Sequence, residues 1–220
     1  MTGSRTLLLD LDGTLVDSVP DIRAALNRLM AARGLADFSA AETTAMVGDG
    51  VRVLTERAFA ARGHVADENA IAAFAADYGA HAAIETRPYP DVPDTLTALA
   101  DAGWRLAVCT NKPEAAARAL LEALDLSRFL SAIGGGDSFP VRKPDPAHLI
   151  ATLAAAGGDP AHAVMAGDHA NDVAAARGAG IPCIFAAWGY GRPEMAEGAS
   201  ATASAFRELP ALAARLIGAQ

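Results

Sequence analysis

Near its N-terminus the chain carries Asp10-Leu-Asp-Gly-Thr14, two carboxylates two positions apart at the end of an apolar run. In extended backbone alternate side chains share a face, so Asp10 and Asp12 point one way while Leu11 packs the other. Gly13 lets the backbone turn sharply and approach a ligand. A charge ending so apolar a run is costly unless something compensates it, which argues against an idle acidic turn. Gly167-Asp168-His-Ala-Asn-Asp172 supplies a second acidic pair. Hard carboxylate oxygens from two separate loops suit Mg²⁺. Asp168 is also a favoured residue type for a helix N-cap, a role compatible with metal binding. Asp172, one helical turn later, is expected to support the metal ligands from behind. Thr110 and Lys143 add a hydroxyl donor and an ammonium. With Mg²⁺ they can neutralise the three peripheral oxygens of a transferring phosphoryl group. Lys112 competes with Lys143 for the cationic role.

Each of these groups follows an expected strand. Thr6 to Leu11 is a short apolar run that reads as a buried strand. Trp104 to Cys109, Ala132-Ile133, Ala163 to Ala166 and Ile181 to Phe185 read likewise. Helices are expected at Pro93–Ala102, from Glu114 to Leu124, at Pro146–Ala156, around Val173–Ala179 and at Leu209–Ile217. Strands alternating with helices of ~10–15 residues imply parallel βαβ units, hence an α/β, doubly wound parallel sheet. In such a sheet ligands bind beyond the carboxyl ends of the strands, which is where Asp10, Thr110, Lys143 and Asp168 fall.

The alternation is interrupted once. Ser18 can cap a helix with Pro20 in its first turn, ended by Gly34. From there to about Ile84 the chain is Ala-rich and helical in period, as in Ile71-Phe74-Ala75-Tyr78. Two prolines in Thr86-Arg-Pro-Tyr-Pro-Asp91 then break it. A helical excursion of roughly 65–70 residues far exceeds an ordinary connection. The expected organisation is an α/β core of residues 1–16 and 87–220 with an inserted all-helical cap of residues 17–86. Gly198 to Ala205 reads as a short surface connection.

Composition removes several classes of function. Eighteen Lys and Arg against 26 Asp and Glu leave a net charge of −8, so a bulk-basic nucleic-acid binder is excluded. No apolar run approaches the ~18 residues of a membrane span, and no signal peptide fits the N-terminus. Cys109 and Cys183 sit in apolar runs and read as reduced core residues, so the chain is expected in the cytoplasm.

In their order and spacing the four segments resemble the haloacid dehalogenase superfamily of Mg²⁺-dependent phosphotransferases. Asp10-x-Asp12-x-Thr14 looks like its first motif, Thr110 its second, Lys143-Pro144 its third and Gly167-Asp168-x-x-x-Asp172 its fourth. The resemblance spans nearly the whole chain, and the helical insert is similar to that superfamily's C1 cap. It implies a Rossmann-like core and a phosphatase acting on a small phosphate ester. By this resemblance Asp10 is the nucleophile, forming an aspartyl-phosphate, and Asp12 is the general acid and then base. The side chains of Asp10 and Asp168 and the backbone carbonyl of Asp12 hold Mg²⁺, with Thr14 and Asp172 behind them. Thr110, Asn111 and Lys143 bind the phosphate. Further stretches, Val47-Gly-Asp-Gly50, Thr110-Asn-Lys-Pro113 and Gly189-Tyr-Gly191 among them, are similar to bacterial phosphatases of two-carbon phospho-acids, with 2-phosphoglycolate the expected substrate.

Specificity is expected from the cap loop at Gly50 and from Arg52, the nearest cation, whose guanidinium fork can bind a substrate carboxylate. Gly48-x-Gly50 does not begin a dinucleotide loop, because no strand precedes it and Val53 takes the last glycine position. A β-phosphoglucomutase-like mutase, or a phosphatase for another small ester or nucleotide, is the alternative on the same scaffold. A phosphorelay receiver is more remote, since receivers are uncapped and keep their acidic pair apart from the phosphoacceptor. The protein is expected to act as a monomer or homodimer.

Overall fold

A computed structural model describes residues 4–218. Strand β1 (Thr6–Leu9) is buried along its whole length, the pattern of a strand covered on both faces. Leu7 and Leu9 pack into one apolar cluster and Leu8 into another, as strand alternation requires. After β1 come β2 (Val16–Asp17), the helices α1 (Val19–Ala32), α2 (Ala40–Thr44), α3 (Val51–Ala61) and α4 (Glu68–His81), and then β3 (Arg87–Pro88). From there helix and strand alternate: α5 (Val92–Asp101), β4 (Arg105–Cys109), α6 (Glu114–Ala123), β5 (Ala132–Gly134), α7 (Pro146–Ala155) and β6 (Ala163–Gly167). The chain closes with α8 (Ala170–Gly178), β7 (Cys183–Ala186), β8 (Ala201–Ala203) and α9 (Leu209–Gly218).

The main sheet has the order β5-β4-β1-β6-β7-β8, and every pairing in it is parallel. Helices α5, α6 and α9 cover one face, and α7 and α8 the other. Cys109 and Cys183 are free and buried in the second of these layers. No described helix is long and apolar enough to cross a membrane.

Two expectations about elements need correction. The Gly198–Ala205 stretch contains an edge strand, β8, whose Ala-Thr-Ala sequence lacks the usual β-branched run and is recruited by pairing with β7. Helix α8 begins at Ala170, earlier than expected. Its N-cap is His169 rather than Asp168: the imidazole accepts from the Asn171 N–H, and Asp172 accepts from the His169 N–H.

Between β2 and β3 the four helices enclose an apolar cluster of their own, with Leu26, Met30, Phe59 and Phe74 at its centre. Entry and exit run side by side, since β2 and β3 pair antiparallel, Val16 with Pro88 and Asp17 with Arg87. Buried Asp21 on α1 fastens the returning chain. Its carboxylate accepts from the backbone N–H groups of Ile84, Glu85 and Thr86 at 2.9–3.0 Å and from the Thr86 hydroxyl at 2.7 Å. Removing the acceptor strands three N–H groups, so Asp21→Ala is expected to cost about 3 kcal/mol. Urea unfolding checks this: the midpoint should fall with an unchanged m-value. A loss below about 0.5 kcal/mol, the ordinary range for a surface substitution, would mean that water replaces the carboxylate.

Candidate active site

The strand order reverses at β1. The chain runs outward through β4 and β5, then returns to place β6 on the other side. Adjacent strands diverging from such a switch point leave a crevice at their carboxyl ends. Asp10 follows β1 there and Asp168 follows β6. One oxygen of each of Asp10, Asp168 and Asp172 lies within 4.8 Å of the others.

Three buried carboxylates so close together need positive charge. Lys143 supplies one, with its Nζ 2.9 Å from Asp10 and 2.6 Å from Asp172. Burial opposes its charge, but Asp10 and Asp172 hold the ammonium well above its ordinary range. Asp168 has no cation among the described residues. Its oxygens accept only from the Thr14 hydroxyl at 3.0 Å and the Tyr190 N–H at 2.7 Å. Burial, then Asp10 and Asp172, push its carboxyl up to about 8. A divalent cation between Asp10 and Asp168 removes that conflict, so the donor set fits a hard metal ion. Both Asp172 oxygens are already engaged, one by Lys143 and the other by the His169 N–H. Asp172 is thus placed to hold Lys143 more than to hold a metal.

Backbone approach at this crevice leaves no room for side chains. A Cβ on Gly13, whose φ is +86°, would stand 2.3 Å from the Asp168 carboxylate. Asp10 Oδ1 accepts from the Leu11 N–H at 2.7 Å, and Oδ2 has no hydrogen bond among the described residues. Thr110 is buried, and its oxygen accepts from the Lys112 N–H at 3.2 Å, which leaves its own O–H to donate. Asp12 lines the same crevice as Asp10 and pairs with Lys112, whose Nζ lies 3.1 Å from its carboxylate. Burial disfavours the Lys112 charge, but Asp12 and the Tyr78 hydroxyl hold it above the ordinary lysine range. Tyr78 belongs to α4 and its hydroxyl lies 2.5 Å from the Lys112 ammonium, so the helical segment reaches the partner of Asp12 directly.

A protein-family model for haloacid dehalogenase-like hydrolases matches residues 5–180, which include every one of these groups but Tyr190. The chain belongs to the haloacid dehalogenase-like hydrolase family. A phosphoglycolate phosphatase from Agrobacterium fabrum is 45% identical over 194 residues, covering 86% of this chain and 83% of the relative. One from Caulobacter vibrioides is 42% identical over 210 residues, covering 93% and 89%. The crystal structure of a predicted phosphoglycolate phosphatase from Haemophilus somnus superimposes with a TM-score of 0.87 at 30% identity, covering 96% and 99%.

Within this family frame, the structure brings Asp10, Asp12, Thr14, Thr110, Lys143, Asp168 and Asp172 to one strand edge. Two other sequence expectations, for Arg52 and for the Asn111 side chain, change. Arg52 does not reach the crevice: its guanidinium spans Glu68 with hydrogen bonds of 2.6 and 2.7 Å and is half-exposed. Neighbouring Val51 lines the crevice, and successive helix positions point about 100° apart. Gly50 lines it through backbone only, at φ +86°, where a Cβ would stand 3.0 Å from the Asn111 carbonyl. Asn111 has both amide protons committed, to the carbonyls of Gly48 and Lys143 at 3.0 Å each. Its side chain therefore clamps the loop to the core, and only its backbone N–H is left to donate to a phosphate.

Sequence reasoning missed several residues that shape the site. Tyr190 donates its N–H to Asp168, while its hydroxyl accepts from the Ser18 N–H at 2.7 Å and donates to Asp17 at 2.8 Å. Asn171 donates to Asp49 of the cap loop at 2.7 Å, and Arg57 pairs with the same carboxylate at 2.6 Å. Burial raises the Asp49 carboxyl, but these two contacts bring it below its usual range. The Gly-Tyr-Gly pattern was the one available signal for Tyr190. Nothing local assigned a role to Asn171 or Arg57.

Proposed function

We propose that this enzyme hydrolyses 2-phosphoglycolate to glycolate and phosphate through an aspartyl-phosphate on Asp10, with Mg²⁺ as cofactor. The observation that carries the reaction type is the placement of Asp10 and Asp12. One carboxylate sits among the charges that would receive a phosphoryl group, and the other sits 3.1 Å from a lysine facing the cap. The substrate assignment is supported by relatives that bear that name over most of their length.

The steps follow from the residues. Asp10 attacks phosphorus through its unbonded oxygen, in line with the ester oxygen. The Lys143 ammonium and the Thr110 hydroxyl carry the charge on the peripheral oxygens. Asp12 gives a proton to the departing alkoxide, then takes one from the water that cleaves the aspartyl-phosphate. Held by Asp10, Asp168 and the Asp12 carbonyl, Mg²⁺ would offset the repulsion between an anionic nucleophile and an anionic ester. Residues 17–86 act as the cap that closes over the crevice and excludes water. The reading carries with it a cytoplasmic protein with both thiols reduced.

A panel of phosphate esters with Mg²⁺ tests the reading. Phosphoglycolate is expected to give the highest kcat/KM, ahead of sugar phosphates, nucleotides and pyrophosphate. Activity should vanish in EDTA and return with Mg²⁺. Full rates in chelator would sink the metal assignment, and isomerisation of glucose 1-phosphate would replace the hydrolase by a mutase.

A further inference from the structure

We infer that Lys112, with Tyr78 as its anchor on the cap, is the residue that recognises the carboxylate of the substrate. The inference rests on the phosphatase reading above and names how that site selects an acid. A cavity of about 40 Å³ lies between Asp10 and Asp12 on the core side and Val51, Leu54 and Phe74 on the cap side. Such a volume holds a few water-sized groups. Lys112 is the only cation among the described residues that line it. A second cavity, of about 650 Å³, opens from the same carboxylates past His169. Its two arginines are taken by acids: Arg57 pairs with Asp49 at 2.6 Å and Arg192 with Glu194 at 3.1 Å, both well exposed.

Position along the substrate singles out Lys112. In 2-phosphoglycolate the carboxyl carbon is two bonds from the ester oxygen. That oxygen must sit beside Asp12, the proton donor. The carboxylate then falls within reach of whatever cation adjoins Asp12, and the adjoining cation is Lys112, at 3.1 Å. Its ammonium is fixed by the Tyr78 hydroxyl at 2.5 Å and lies 4.3 Å from the Tyr78 ring centroid. The remaining walls of the small cavity are largely apolar, so a buried carboxylate has few competing partners and a neutral tail forfeits the ammonium contact. Lys143 cannot serve both ends, because Asp10 and Asp172 hold it at the phosphoryl end. Tyr78 makes the position of the selecting charge depend on the packing of α4 over the crevice.

The test compares 2-phosphoglycolate with ethyl phosphate, which has the same two-carbon chain without the carboxylate. Wild-type enzyme is expected to prefer the acid. In Lys112→Met the kcat/KM ratio between the two esters should collapse about 10- to 100-fold, the worth of one charge-assisted contact. Both rates fall somewhat because Asp12 loses a neighbour, and the ratio removes that shared loss. Lys112→Gln, which keeps a polar side chain of similar length, serves if the methionine variant fails to fold. An unchanged ratio in a folded variant overturns the assignment and makes Lys112 a positioning residue for Asp12 alone. A wild-type enzyme that shows no preference for the acid overturns the substrate reading itself, before any variant is measured.

Discussion

Replacing Asp10 with asparagine is expected to lower kcat by about 10⁴-fold or more while leaving the fold intact. An amide oxygen is a poor nucleophile, and loss of a covalent catalyst of this kind is among the largest single-residue effects seen in enzymes. The fold should survive for a reason visible in the charges. Asp10, Asp168 and Asp172 crowd one another, so removing one charge relieves repulsion. Lys143 keeps its shorter contact, 2.6 Å to Asp172. Steady-state kinetics beside a thermal melt decide the matter. Residual turnover above about one per cent in a protein that melts normally would remove Asp10 from the nucleophile role.

Asp12→Ala separates the two chemical steps. Glycolate leaves as a basic alkoxide and needs a proton, whereas p-nitrophenolate leaves without one. A positioned general acid or base contributes about 10²–10⁴-fold, so the variant should lose that factor on phosphoglycolate. Where formation of the aspartyl-phosphate limits the rate, p-nitrophenyl phosphate should lose distinctly less. Single-turnover measurements identify the slow step. Equal losses on both esters under that condition would require another proton donor, and His169 is the next titratable group on that edge. The substitution also frees Lys112 from its ion pair at 3.1 Å, so Asp12→Asn, which keeps an acceptor there, is the control for folding. The backbone carbonyl of Asp12 survives either change. Mg²⁺ affinity should therefore fall far less than in Asp168→Ala.

The edge at which the charged groups gather was legible because its logic is local. Asp10, Thr110 and Asp168 each fall just past an apolar strand, Lys143 lies in the longer segment after β5, and a parallel sheet sends all such positions to one side. Gly13 was equally readable: a turn at φ +86° beside a carboxylate admits no side chain. The helical insert showed itself through a change of period and a pair of prolines. Strand β8 did not, because Ala201–Ala203 becomes a strand only by pairing with β7.

Cap chemistry was not legible, and Arg52 and Lys112 show why. From spacing alone Arg52 is the cation nearest the cap loop, yet it folds outward onto Glu68. Lys112 reads only as a competitor of Lys143 for the phosphoryl charge until α4 brings Tyr78 onto it from 34 positions away. Asn111 likewise reads as a phosphate donor until the Gly48 carbonyl arrives from the cap and takes one of its protons. Residue type, strand position and turn geometry are properties of short segments, so the sequence alone determined the reaction class and the edge at which these charged groups gather. Which charge meets which partner across two packed layers depends on distances between segments far apart in the chain. Only the tertiary structure decided that.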